Sequence, residues 1–255
     1  MNETIKQLFE RKSVRVFEEK EISVQDKTMI LEAAMMAPTA GNQQLYTILD
    51  ITDQEKKDRL AETCDHQPFI AKAKMVLIFC ADCSKWYEAF EETGCGPRIP
   101  GAGDLMLAVS DAVIAAQNAV VAAWSLGIGS CYIGDIMENC EIHREMLNLP
   151  RYVFPAAMLV FGYPTGQQME RPKPKRAGLC HIVHENGYRR MEPDEHRMMF
   201  MPATSDKSYE EWMNAFCGRK YNSDFAKEMT RSTEEYLKDF LMPDSRSSNA
   251  FIDPA

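Results

Sequence analysis

LMLAVSDAVIAAQNAVVAAWSL (residues 105–126), running into GIGSCYIGDI (127–136), is the stretch that decides the fold. Alanine and valine cover most of its circumference, and a helix apolar nearly all round belongs at the centre of a large core or across a subunit interface. Ser110, Asp111, Gln117 and Asn118 interrupt it. Polar groups at that density are costly in a bilayer, so the stretch reads as a buried helix of a soluble protein.

Outward from this helix, periodicity alternates between 3.6 and 2. Ile5, Leu8 and Phe9 show helical spacing near the start. Ser23 is placed to cap a second helix through Asp26, with Ile30, Ala33, Ala34 and Ala37 inward and Pro38 as its stop. LYTILDI and MVLIFCA read as strands, the second apolar enough to be covered on both faces, with a helix over EKKDRLAETC between them. GSCYIG, a helix through EIHREMLNL and the strand PAAMLVFGYP follow the central helix. The last third is Met-rich and charged, with helices expected at 209–216 and 224–241 and a polar tail, PDSRSSNAFIDPA. The pattern predicts one α+β domain over residues 1–190 and a helical extension over 191–255 that packs on a partner subunit or over the site.

The chain has 255 residues, 45% of them hydrophobic, and a formal net charge of −9. It is long enough for a real core, and an acidic surface offers no long-range attraction to nucleic acid or to an anionic membrane. The first residues, MNETIKQLFERKSVR, lack the apolar run of a secretory signal, and eight cysteines are spread without the spacing of a disulfide framework. Both features lead to the expectation of a cytoplasmic protein with reduced thiols. Cys80 and Cys83 have redox or metal spacing, but Cys80 ends an apolar strand and no second pair exists, so both read as structural thiols.

Against that acidic background ERKSVRVF (10–17) packs Arg11, Lys12, Ser13 and Arg15 together. In an extended segment Arg11, Ser13 and Arg15 project to one side, where two guanidiniums and a hydroxyl suit a phosphate, while Lys12 and Val14 face the other. An isolated R-x-S-x-R equally fits a solvated helix end whose cations complement the dipole. RPKPKR (171–176) is a second cationic island, held extended by its prolines, and also fits a solvated loop. PTAGNQQ (38–44) supplies amides able to pair with the polar edge of a heterocycle, and Gly134 in SCYIG lets backbone approach a ligand; a plain turn and a strand-end glycine fit as well. No G-x-G-x-x-G follows a strand, no Walker A or G-x-S-x-G occurs, and the five histidines form no metal motif. His181 and His184 fall on an expected strand that sets them on opposite faces. Catalysis is therefore expected from a bound cofactor.

The order of these segments, R-x-S-x-R, APTAGNQQ, HQPFIAKAKMVLIFCAD, the Ala-rich helix, LGIGSCYIGDI and FGYP…RPKPKR, resembles the nitroreductase family, nearest to its NADPH nitroreductase and flavin reductase branch. The resemblance implies a mixed central β-sheet flanked by helices, a homodimer, and FMN bound at the subunit interface. It implies that Arg11, Ser13 and Arg15 hold the phosphate and ribityl chain with Arg171 and Lys173. Pro38, Thr39, Asn42 and Gln44 would line the isoalloxazine, partly from the other subunit. Gln67 would make a polar contact to the flavin, and the backbone at Ile133 and Gly134 would face its N5 and O4 edge. Where that branch carries a second glycine this chain has Asp135. The implied activity is ping-pong hydride transfer from NAD(P)H through FMN to small-molecule acceptors such as nitroaromatics, quinones or free flavin, with no metal, nucleic acid or membrane involved. A specialised reductive step (dehalogenation or flavin fragmentation) and a non-catalytic FMN-binding sensor are the alternatives.

Overall fold

A computed structural model describes residues 1–200 and 206–241. The polar tail expected after residue 242 lies outside the described residues. The chain divides into two units, Met1–Glu170 with the chain from Glu228 onward, and Arg171–Lys227.

In the first unit α1 (Glu3–Glu10) is capped by the Asn2 side chain, and α2 (Val24–Met35) by Ser23, whose hydroxyl accepts from the Asp26 amide at 3.0 Å. Then follow β1 (Tyr46–Asp50), α3 (Gln54–Thr63), β2 (Met75–Asp82), α4 (Ser84–Glu92), α5 (Ala102–Ser125), β3 (Gly129–Ile133), α6 (Cys140–Leu147), β4 (Val153–Gly162) and α7 (Gly166–Glu170). The four strands form one sheet in the order β1-β2-β4-β3, each pair antiparallel. The expected mixed sheet is corrected accordingly. Parallel pairing among the described residues is confined to a single bridge between Ser13 and Ser130, because the segment after α1 touches the sheet edge through isolated bridges only. Pro155 stands inside β4 where the register with β2 slips between Phe79 and Cys80; a bulge is where a strand tolerates a residue with no N–H.

Period-2 alternation sends β2 and β4 to both sides. Leu77, Phe79, Leu159 and Phe161 pack on the alanines of α5 and on α2, while Val76, Ile78, Met158 and Val160 pack with Leu60 and Ala61 of α3, with Ile70 and with Leu147 of α6. Small side chains on α5 let it lie close along the sheet: Ala108, Ala112, Ala115, Ala116 and Ala119 have no exposed surface. Its other face, with Met106, Val113 and Ile114, stays exposed, as do Ile5, Leu8 and Phe9 of α1, a helix in contact with α5. Of the two places expected for this helix, the centre of a core or a subunit interface, one side of α5 occupies the first.

The end of the described chain returns to the first unit. In α11 (Asp224–Leu241), Tyr236 meets Phe154 edge-on at 5.2 Å between ring centroids, Ser232 bonds Met137 and Cys140, and Arg231 forks onto Glu141. The second unit carries α8 (Leu179–Ile182), α9 (Pro193–Phe200) and α10 (Tyr209–Lys220), the last opened by a reciprocal Ser208–Glu211 cap. This unit spans Arg171–Lys227, and the described part of α11 from Glu228 belongs with the first unit. His181 lies in the short α8 and His184 just beyond it, not on a strand.

Candidate functional site

Past α1 the chain runs extended along the edge of β3. Val14 is 0% exposed and seated on Gly129, where a Cβ would come within 2.5 Å of it; Phe17 covers Gly162 in the same way. The Val14 amide donates to the Ser130 carbonyl at 2.9 Å, and the Arg15 amide donates to Gln168 Oε1 at 3.2 Å. With Val14 pinned inward, Arg11, Ser13 and Arg15 come together beside Cys131 of β3. Burial pushes the Cys131 thiol up, while Arg15, Ser13 and Arg11 pull it down. The Arg15 guanidinium also stands 6.0 Å from the Phe69 ring centroid. Lys12 turns away and donates to the Met169 carbonyl at 2.6 Å.

Phe69 belongs to the loop that carries Gln67, and Gln67 reaches the end of β3. Its Nε2 donates to the Cys64 carbonyl and to Asp135 Oδ2, both at 2.9 Å. Ile133 closes β3 and Gly134 opens a single 3-10 turn (Gly134–Met137). Arg11, Ser13, Arg15, Gln67, Ile133 and Gly134 are therefore linked through β3 into one region. Glu138, at the end of that turn, is 5% exposed with a buried, unpartnered Oε1. Burial first, then Asp135, Asp65 and Glu228, push its carboxyl up to about 8.

The 38–44 loop is anchored on other elements. Asp111 of α5, 3% exposed, accepts from the Thr39 hydroxyl, from the Ala40 amide at 3.0 Å and from the Leu45 amide at 3.2 Å. The Thr39 oxygen in turn accepts from the Gln44 amide at 2.8 Å. These bonds hold Gly41, Asn42 and Gln44 at positive φ, an uncommon conformation for the last two. Pro38, Asn42 and Gln44 are left exposed, while the Thr39 hydroxyl is committed to the loop itself. The Trp86 indole of α4 donates to the Gln43 carbonyl at 2.7 Å, and next to it lies a cavity of ≈ 430 Å³ lined by Leu45, Trp86, Tyr87, Phe90 and Leu107.

Arg171 and Lys173 stand on the second unit, both exposed. Cys80 and Cys83 are buried, and burial pushes both thiols up to about 12, which leaves them unreactive. Among the described residues no cluster is able to hold a metal ion.

Arg11, Ser13 and Arg15 all act on the Cys131 thiol at the edge of β3, and two guanidiniums with a hydroxyl are a donor set that suits a phosphate. Gln67 beside it offers an amide to a heterocycle. Sequence reasoning missed Gln168, which seats Arg15, and Trp86, which braces the loop. Asp111 was visible only as a polar interruption of the central helix, the one signal that a carboxylate there has a task.

The nitroreductase family model matches residues 8–163. The FMN reductase [NAD(P)H] of Bacillus subtilis (strain 168) is 30% identical over 257 residues, covering 96% of this chain and 95% of that protein. The FMN reductase (NADPH) of the same organism is 29% identical over 245 residues, covering 94% and 97%. Among solved structures, B. megaterium NfrA2 superposes with a TM-score of 0.78 at 27% identity, covering 92% of this chain and 98% of that one. The chain belongs to the nitroreductase family.

Proposed function

We propose that the protein is an FMN-dependent NAD(P)H oxidoreductase, acting as a homodimer in the cytoplasm. FMN, when bound, would supply the redox chemistry of a ping-pong hydride transfer from NAD(P)H, through N5, to a nitroaromatic, quinone or flavin acceptor. The observation that carries the reading is the meeting of Arg11, Ser13 and Arg15 at the edge of β3, linked to Gln67 and Gly134. The names of the full-length relatives, FMN reductases that use NAD(P)H, support it.

Arg11 and Arg15 grip the phosphate and Ser13 adds a hydroxyl donor. The backbone at Ile133 and Gly134 would face the N5 edge, where fixed N–H dipoles would favour the build-up of negative charge on the ring system. Pro38, Asn42 and Gln44 would line the ring, partly from a second copy, with Thr39 holding their loop in shape. The exposed apolar surface shared by α1 and α5 supports that second copy, since an uncovered patch of this kind marks an interface. The aromatic cavity against Gln43 suits a flat acceptor. Steady oxidation of NADH or NADPH by the flavin-loaded protein on addition of a quinone is the expected result. A yellow protein that turns over neither nucleotide would instead support a flavin-binding sensor.

A further inference from the structure

The cavity beside Gln43 is lined by two unlike sets of residues. Trp86, Tyr87 and Phe90 of α4, with Leu107, make it aromatic and apolar, and the Trp86 and Phe90 rings lean together at 5.6 Å between centroids. The loop before α5 brings in Arg98, and the first turn of α5 brings in Asp104. Arg98 is the only cation among the described residues that line the cavity.

A guanidinium is a planar fork with two edges that donate in parallel, the terminal edge and the edge shared by Nε and Nη2. At Arg98 the terminal edge is taken. Nη1 donates to Asp104 Oδ2 at 2.6 Å and to the Ile99 carbonyl at 3.3 Å, and Nη2 donates to Asp104 Oδ1 at 2.8 Å. The Nε–H and the second Nη2–H, side by side along the other edge, have no partner among the described residues. Two parallel N–H groups of this kind suit the paired oxygens of a carboxylate or a sulfonate.

Asp104 is itself well held. Its Oδ2 accepts from the Gly101 amide at 2.8 Å, and it stands in the first turn of α5, where the helix dipole favours a carboxylate. Arg98 beside it keeps the Asp104 carboxyl below its ordinary range. The fork at the cavity is therefore fixed before a ligand arrives, which lowers the ordering cost of binding.

We propose that Arg98 is a specificity-determining residue of this cavity, selecting flat aromatic acceptors that carry a carboxylate or sulfonate. The ring packs on Trp86 and Phe90 while the anion takes the open edge of the guanidinium. The inference rests on the reading of the cavity as the acceptor site.

The test is isothermal titration calorimetry of the FMN-loaded protein with naphthalene-2-sulfonate and with naphthalene-2-sulfonamide, a neutral compound of nearly the same shape, for wild type, Arg98→Lys and Arg98→Ala. Wild type is expected to prefer the sulfonate by about 3- to 30-fold, the range for a charge-assisted hydrogen bond at a partly solvated site. Arg98→Ala should lose the preference while still binding the sulfonamide. Arg98→Lys, which keeps the charge but not the fork, should retain only part of it. In turnover, naphthalene-2-sulfonate should slow quinone reduction by wild type more than by Arg98→Ala. Equal binding of the two compounds by wild type, binding of neither, or an undiminished preference in Arg98→Ala overturns the proposal and leaves the FMN reading standing. A sulfonate preference that depends on Arg98 but leaves quinone reduction untouched takes the cavity out of the acceptor's path and overturns the claim on acceptors. A protein that cannot be loaded with FMN removes the FMN reading, and this proposal with it.

Discussion

Replacing Gly129 with alanine tests how the cation cluster is held. The added Cβ would stand 2.5 Å from Val14 Cγ2, 2.8 Å from its Cβ and 3.1 Å from Cγ1, where ordinary contact is 3.4–4 Å. Val14 has to retreat by about 1 Å, and forcing a methyl into a closed contact costs about 1–3 kcal/mol. The retreat also stretches the bond from the Val14 amide to the Ser130 carbonyl, now 2.9 Å, worth about 1 kcal/mol more. A total of about 2–4 kcal/mol should lower the melting temperature by about 5–10 °C in a chain of this size. Because Ser13 and Arg15 flank Val14, FMN affinity should fall with it. Circular dichroism melting and flavin fluorescence quenching read the two effects. The cause is checked by a cycle with Val14→Gly, which removes every clashing atom: the Gly129→Ala penalty should shrink strongly in that background. Gly127→Ala is a useful contrast, since no atom lies near its Cβ and its strain comes from φ +76 alone. An unchanged melting temperature and FMN affinity in Gly129→Ala, or a strictly additive cycle, would refute the reasoning.

Other expectations follow from the same contacts. Asp111→Ala leaves the Thr39 hydroxyl and the Ala40 and Leu45 amides without their acceptor, and should cost about 2–4 kcal/mol in urea denaturation; a change under about 0.5 kcal/mol would show that the carboxylate is not what holds the loop. Arg15→Ala should weaken FMN binding by roughly 1.5–3 kcal/mol, the scale of a charged hydrogen bond, and unchanged affinity would remove Arg15 from the site. Glu138 keeps its proton up to about pH 8 when folded, whereas its ordinary value is 4.5. Between those values the folded state holds a proton that the unfolded chain has released, so stability falls as pH rises, by up to about 1.4 kcal/mol per pH unit. Glu138→Gln should flatten that slope, and parallel pH profiles of the two proteins would contradict it.

What could be read from residues alone is what depends on local pattern. α2 announces itself through Ser23, Asp26 and Pro38, and β2 through an unbroken apolar run. α4 escapes notice because Cys83, its N-cap residue, makes no side-chain cap bond, and because Trp86, Tyr87 and Phe90 sit among acidic residues and a glycine-rich loop. Strand direction is not carried by period-2 alternation; the mixed sheet was an expectation of the family resemblance alone, and the four strands pair antiparallel. The R-x-S-x-R segment is legible as an anion holder, but its seating on Gly129 and Gly162 depends on contacts more than a hundred residues away in sequence. Likewise, nothing local to Thr39 reveals that Asp111 takes its hydroxyl, nor does anything near Gln67 reveal the tie to Asp135.

The most direct test of the central claim is anaerobic titration of the purified, FMN-loaded protein with NADH and with NADPH, followed in the visible flavin band, and then with a quinone. The predicted result is loss of the band with at least one nucleotide and its return on addition of the quinone. A protein that carries no flavin and cannot be reconstituted with FMN, or whose band is untouched by both nucleotides, would contradict the account.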